Sequence, residues 1–458
     1  MVRSMQRRLA AGIVAGLTLV AAACSEAETT QSDSDSASAT TTTLAGAPTS
    51  VANAASVVAT WAGNDWLFGT VPAVAVSADT AKPPIKIGFI SIDSGPVAAT
   101  PELHQATDAA VEFINAELGG VKGRPVQIIA CESDLGTDKA QACARKMVDE
   151  GVVAVLNGLN LSSGVITQIL EENGIAWVGG IPLDVAEMSS PIAFQFSGGA
   201  AGAFVAFADH AANDLNAERV AVLYANTPQI SVAAVEYGAA LLDAFGVDVT
   251  EIAFDLTTQD FAAVMARAAQ SSPDAMLVGA ADFACPKVMQ AISDLGLDTT
   301  VYLVGSCADR KWIDQVGPDA VDGMIFNIET RIDRTGDSNV DIGVYVSAIE
   351  RYGKGVNAKG AATVAFRSIM NLYDVLLELG DDPTPAGVVE TFRAARDRPS
   401  FDGHPYTCDG RQIPALPSLC ASQEVLVQVS GPNADVFTEV SDGWVDVPAI
   451  VASELSGS

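Results

Sequence analysis

Short apolar runs rich in β-branched residues alternate along this chain with amphipathic stretches at helical spacing. Val152 to Leu156, set between Gly151 and Gly158, is the clearest run and reads as a strand buried on both faces. Ser162 and Ser163 stand where the following helix begins, ahead of Val165 to Leu170. Hydroxyls there can cap that helix or meet a bound acceptor. Upstream, Ile85 to Ile90 predicts a strand with Ser94-Gly95-Pro96 as its loop. Glu102 to Leu118 carries Ala106, Ala109, Ala110, Phe113 and Ile114 at helical spacing and stops at Gly119-Gly120. A strand over Val126 to Cys131, a helix over Lys139 to Glu150 and a strand over Gly174 to Val178 complete a βαβαβαβ order. That order implies a parallel sheet covered on both faces.

The plan then repeats. Helices are expected over Phe204–Asp214, Val232–Phe245, Phe261–Gln270 and Pro286–Leu295, and strands over Val220–Tyr224, Val249–Phe254, Asp274–Val278 and Val301–Val304. Met324 to Ile328 predicts one more strand, followed by apolar helices over Val344–Tyr352 and Ala361–Leu379. Glu424–Val429 and Phe437–Val447 alternate as a β-hairpin does. Two α/β halves suggest two lobes with a cleft between them, able to close on a ligand. Residues 51–82 fit neither half, although Trp61, Trp66, Leu67 and Phe68 are too apolar for a linker, so part of that stretch should pack on the body.

Composition adds an address. Arg3, Arg7 and Arg8 precede the apolar run Leu9–Val20 and the small residues Ala21-Ala22-Ala23, which reads as a secretory signal over 1–23. Cys24 directly after them resembles a lipobox, in which the thiol is acylated. Ser25 to about Ser50 is Ser/Thr/Ala/Asp-rich without apolar period, a flexible tether. The expected location is therefore outside the cell's inner membrane, lipid-anchored on its outer face or in the periplasm. Loss of the three signal arginines leaves 22 basic against 56 acidic residues, which argues against nucleic acid as a partner.

Six cysteines remain besides Cys24, an even number in an exported chain. Fifteen pairings are open to them, and closeness in sequence favours Cys131–Cys143, Cys285–Cys307 and Cys408–Cys420. No CxxC occurs and the histidines lie far apart, so no metal is expected. Catalytic signatures are equally missing. Asn160 and Leu161 replace the glycine of a nucleophile elbow before Ser162 and Ser163. The glycines at 119, 120 and 123 follow a helix and precede a strand, the reverse of a dinucleotide site. Neither an enzyme nor a cofactor is expected.

Several of these pieces together are similar to one family. They are Ile85-Lys-Ile-Gly-Phe-Ile90 with Ser94-Gly-Pro-Val-Ala98, Ala109-Ala-Val-Glu-Phe-Ile-Asn-Ala116 and Gly119-Gly-Val-Lys-Gly-Arg-Pro125. Gly151-Val-Val-Ala-Val155 with Gly158 and Ser162-Ser163, Gly174-Ile to Pro182, and Arg219-Val-Ala-Val-Leu-Tyr224 follow in order. They resemble the substrate-binding proteins of ABC transporters with the type I periplasmic-binding fold, in the Leu/Ile/Val-binding-like branch. The resemblance implies two Rossmann-like α/β lobes with parallel sheets and a three-crossing hinge. After the signal 1–23 and the anchor and partly packed tether 24–83, lobe one would be 84–200 and 328–400. Lobe two would be 201–327 and 401–458, the latter a C-terminal hairpin and tail.

The resemblance also implies a monomer that closes on a small polar molecule (amino-acid-like, amide or carboxylate) and delivers it to a permease and ATPase complex. A ligand-sensing receptor of the same fold and a scaffold lipoprotein are the alternatives. Carried across, the family's first-lobe serine falls on Ser162, beside Ser163, and the loop after the fourth strand reads Pro182-Leu183-Asp184. A frequently aromatic position falls near Gln229 and another near Ala281-Asp282, while Thr100 replaces an aromatic near the first loop, which holds Ser94. The acidic residue that grips an amino-acid ammonium falls on Cys307, so Asp184 and Asp282 become candidates for a cationic or polyhydroxylated ligand, and Arg310 for a carboxylate.

Overall fold

The computed structural model describes residues 56–95, 99–255, 257–280, 284–297, 299–330, 340–356, 358 and 360–455. The signal segment, Cys24, the tether and Asp282 lie outside the described residues.

The first lobe opens with α1 (Val57–Trp61) and a short hairpin of β1 (Asp65–Trp66) and β2 (Gly69–Thr70). There follow β3 (Ile85–Ser91), α2 (Pro101–Glu117), β4 (Val126–Glu132), α3 (Thr137–Glu150) and β5 (Ala154–Asn157). Then come α4 (Ser163–Glu172), β6 (Ala176–Val178), α5 (Val185–Met188) and β7 (Ala193–Phe194). These five strands form a parallel sheet in the order β4-β3-β5-β6-β7. Every residue of β5 and β6 is buried, as strands covered on both faces require. In α2, Leu103, Ala106, Ala110, Phe113 and Ile114 are buried in the first core, and Pro101 sits in the first turn, where its missing N–H leaves nothing unpaired.

The second lobe holds α6 (Gly199–Asp209), β8 (Arg219–Ala225), α7 (Pro228–Val232), α8 (Ala240–Ala244), β9 (Asp248–Phe254) and α9 (Phe261–Ala269). It continues through β10 (Ala275–Gly279), α10 (Cys285–Leu295), β11 (Thr300–Leu303), α11 (Arg310–Val316) and β12 (Ile325–Ile328). Between α7 and α8 the helix runs on in π-type turns over Ala233–Ala239. The chain then returns to the first lobe as α12 (Val340–Tyr352), α13 (Ala362–Leu379) and α14 (Pro385–Ala394), and ends in the second as β13 (Val425–Ser430), β14 (Val436–Glu439) and α15 (Val447–Glu454). The second sheet has the order β14-β13-β12-β11-β10-β8-β9. β8 to β12 are parallel, and β13 and β14 are added antiparallel at one edge.

The apolar stretch around Trp61 to Phe68 packs on the body as expected, and two differences from the expected pattern have physical causes. Residues 56–82 are a strap on the first lobe, in which Trp66 meets Phe113 edge-on at 6.3 Å and Phe68 meets Tyr373 at 5.4 Å. The backbone N–H groups of Val57 and Val58 and the Ser56 hydroxyl all donate to the buried Glu117 carboxylate. At the other end, the alternation over Phe437–Val447 is cut after Glu439 by the turn Ser441-Asp442-Gly443, where Ser441 Oγ donates to Gly443 O at 2.9 Å. Asp446 then caps α15 by accepting from Ala449 N. Finally, Phe401, Tyr406, Cys408, Cys420 and Ala421 pack in the first core, while Ile413, Leu416 and Leu419 reach the second. The last passage between lobes therefore falls near Ser422–Glu424 and not at residue 401. Cys131–Cys143, Cys285–Cys307 and Cys408–Cys420 are all bridged, with Cα atoms 5.5, 5.2 and 4.5 Å apart.

Candidate ligand cleft

The three passages between lobes lie side by side. Gln195 N donates to Ser418 O at 2.9 Å and Cys420 N to Gln195 O at 2.8 Å, joining the first to the third. The Ser197 hydroxyl donates to the Glu329 carboxylate, joining the first to the second, and Asn327 Nδ2 donates to Glu424 Oε2 at 3.0 Å, joining the second to the third.

Parallel strands deliver the loops after their C-terminal ends to the space between the lobes. Close backbone approach there requires glycine. A Cβ on Gly158 would lie 2.2 Å from Ser91 Oγ, and one on Gly180 (φ +79°) would lie 2.5 Å from Asn157 O. With those loops drawn together, Leu159, Leu161, Ile181 and Leu183 face the cleft. Lobe two answers with Thr227 and Ile230 after β8, Ala280 after β10, and Val304, Ser306 and Ala308 around the loop after β11. Ser197, Ala200 and Ala203 from the first passage, Asn327 to Thr330 from the second, and Gly360 to Val364 at the start of α13 complete the enclosure. The cavity holds about 190 Å³. An apolar cavity of about 150 Å³ holds one benzene molecule, so this one suits a single substituted ring or a short branched chain.

Among the described residues lining it, Glu329 is the only ionisable one. Its Oε2 accepts from Arg367 Nη2 at 2.7 Å, and its carbonyl accepts from Arg367 Nη1 at 2.6 Å. Arg367 is 1% exposed and stands behind the wall. Glu424, fully buried beside this pair, has one carboxyl oxygen without a partner. Burial pushes its carboxyl well above the usual range, and the nearby Glu329 charge pushes it further. A second buried carboxyl, Glu187, lies beneath the lobe-one loops. It accepts from Asn157 Nδ2 (2.7 Å), Ser163 Oγ (2.7 Å), Trp177 Nε1 (2.6 Å) and Gln195 Nε2 (3.0 Å).

The residues expected from the sequence at this site have other partners. Ser163 is spent on Glu187, and the half-exposed Ser162 donates to Leu135 O at 3.5 Å. Asp184 accepts from Ala186 N and Gly164 N, holding the starts of α5 and α4. Pro182 is buried, with its carbonyl against Gly199. Ser94 donates to Glu132, and the buried Thr100 donates to Ile92 O at 3.5 Å. Arg310 pairs with Asp314 at 2.5 Å and donates to Asn433 O at 2.6 Å, within lobe two. Gln229 alone reaches across the cleft, its Nε2 donating to Leu161 O at 3.3 Å. None of these eight lines the cavity; their apolar neighbours Leu161, Ile181, Leu183 and Ile230 do. Cys307 is buried in its bridge and holds no charge for an ammonium. The sequence reading passed over Glu329, Arg367 and Glu424, although a lone arginine in the apolar run Ala362 to Leu372 was a usable signal.

Two α/β lobes joined by three adjacent passages and closed around an internal cavity define a two-lobed small-molecule binder with the type I periplasmic-binding fold. Residues 84–414 match the family model described as periplasmic binding protein, and the chain belongs to that family. Among solved structures it is similar to a leucine-binding protein from Thermotoga maritima MSB8, at 18% identity and TM-score 0.65, over 78% of this chain and 98% of that one. It is also similar to the substrate-binding protein of a fatty acid ABC transporter from Thermomonospora curvata, at 13% identity and TM-score 0.68, over 82% and 96%. A third is an ABC-transporter solute-binding protein from Rhodopseudomonas palustris HaA2 in complex with p-hydroxybenzoic acid, at 18% identity and TM-score 0.67, over 80% and 98%. At such identities the likeness carries the fold. No curated protein sequence matches. The family and these neighbours are solute-binding proteins, not enzymes, and solute binding is the general role of this chain.

Proposed function

We propose that this chain is an exported, lipid-anchored solute receptor that closes on a small, largely apolar molecule and hands it to an ABC importer. The observation that carries the ligand class is the cavity wall: Leu159, Leu161, Ile181, Leu183, Ile230 and Val304 with one carboxylate already paired to an arginine. Such a wall, with a few hydroxyls and an amide among its apolar residues, offers a zwitterionic amino acid no free charge for either end, and desolvating both ends without charged partners costs several kcal/mol. An apolar ligand is therefore favoured over the polar one expected from the loop residues. Export and anchoring rest on the signal-like run 1–23 and Cys24. Delivery to an importer rests on the ABC-transporter roles of the structural neighbours.

The test is thermal unfolding of the protein, disulfides intact, against matched sets of amino acids, sugars, single-ring aromatics and short branched-chain compounds. A ligand at a hundred times its dissociation constant stabilises by about 2.7 kcal/mol. Stabilisation confined to the aromatic or branched-chain sets is the expected result. Stabilisation by free amino acids or sugars alone would sink the apolar reading.

A further inference from the structure

The polar end of the cavity limits the chemistry of the ligand further. Glu329 reaches the wall with its charge met from behind by Arg367, whose Nη1 and Nη2 both bond to Glu329. Glu424 sits fully buried nearby, accepting from Asn327 and with one carboxyl oxygen unpaired. The carboxylate bonded to Arg367 is that of Glu329. Among the described residues lining the cavity none is Lys, Arg or His. Two of the first amides of α13 are already used: Thr363 N donates to Gly360 O at 3.2 Å and Val364 N to Ala361 O at 3.1 Å.

We infer that Glu329 sets the specificity of this cavity, selecting an apolar molecule with an uncharged hydrogen-bond donor, a hydroxyl or an amide N–H, and rejecting a carboxylate. The inference rests on the apolar reading of the cavity above. A carboxylate oxygen can accept more than one hydrogen bond, so Glu329 Oε1, which takes the Ser197 hydroxyl, and Oε2, which takes Arg367, each keep acceptor capacity for a ligand donor. A ligand carboxylate would bring a second negative charge to a guanidinium already matched by Glu329, in surroundings that screen poorly. A ligand cation would leave water for a carboxylate whose charge is already matched.

Four ring-sized probes separate these cases on the full chain: benzyl alcohol, toluene, benzoate and benzylamine, by calorimetric titration at pH 7. Benzyl alcohol should bind best and benzoate at least about tenfold more weakly, a difference of about 1.4 kcal/mol. Glu329→Gln leaves Arg367 without its anion, so it should gain benzoate affinity while benzyl alcohol loses its advantage over toluene. Benzoate or benzylamine matching benzyl alcohol on the unaltered protein overturns the inference, whether or not the variant folds. So does a Glu329→Gln protein that folds and keeps the original ranking. If no probe binds while leucine or glucose does, the apolar reading itself has failed.

Discussion

Glu187→Gln tests whether the packing under the lobe-one loops is held by a neutral or an ionised carboxyl. The side chain is fully buried and accepts from four side chains, Asn157, Ser163, Trp177 and Gln195, and from the Leu183 backbone. Glutamine keeps one acceptor oxygen but turns an amide NH₂ toward other donors, so at least one donor is stranded. Each stranded buried donor costs about 1–3 kcal/mol. Burial pushes the Glu187 carboxyl up to about 7 from 4.5, against the pull of the Trp177 and Ser163 donors. Because its folded value is raised, the native state keeps a proton that the unfolded chain gives up. The stabilisation from this group is complete below pH 4.5 and is lost as pH rises through about 7. At 1.36 kcal/mol per pH unit the loss comes to about 3 kcal/mol. Glutamine does not titrate, so the stability gap between the parent and Glu187→Gln should narrow by about 3 kcal/mol between pH 4.5 and pH 8. Urea unfolding of both proteins across that range, disulfides intact, reads the gap directly. A gap that stays constant, or widens with pH, would mean that these donors keep Glu187 ionised throughout.

Replacing Cys285 and Cys307 together by alanine should lower stability by about 3 kcal/mol, from the loop-entropy relation applied to a separation of 22 residues. Non-reducing thermal unfolding checks it, and an unchanged melting temperature would show that the bridge adds nothing to the lobe. Trp66→Ala removes edge contacts to Phe68 at 4.9 Å and Phe113 at 6.3 Å and should cost about 2–3 kcal/mol in urea unfolding. A loss within about 0.5 kcal/mol would mark the strap as mere surface.

The elements with strong periodicity were legible in the sequence because burial alone decides them: α2, β5, β10 and α13 follow the apolar residues. What was not legible depends on partners far away in the chain. The strap 56–82 is made by Glu117, Phe113 and Tyr373, none of which its own residues announce. β7, α5 and α14 are too short or too weakly patterned to separate from loops. At the cleft, the reading by family position led to the loops that converge, and then favoured their polar side chains. Asp184 and Ser163 hydrogen-bond α4, α5 and Glu187, so local structure accounts for polarity in these loops. The ionisable group that lines the cavity among the described residues, Glu329, is paired across 38 positions with Arg367, a coupling no local pattern contains.

An apolar cavity also explains how ligand and closure are linked. An unfilled apolar void costs about 24 cal/mol per Å³, so closing the lobes on about 190 Å³ of empty space costs on the order of 4–5 kcal/mol. Against this stands the hydrogen bond from Gln229 to Leu161 O across the cleft, worth about 0.5–1.5 kcal/mol. An ion pair across it, Lys311 with Glu102 at 3.4 Å, adds no more than about 1 kcal/mol. Each of these two polar contacts is worth less than filling that space with apolar atoms. A molecule that fills the space restores the lost packing of Leu159, Leu161, Ile181, Leu183 and Ile230 only when the lobes meet around it, and that differential contact is what shifts the population toward closure. A smaller or water-filled occupant recovers less. Shape and apolar volume therefore drive closure, while Glu329 at the hinge decides which head group the closed state tolerates.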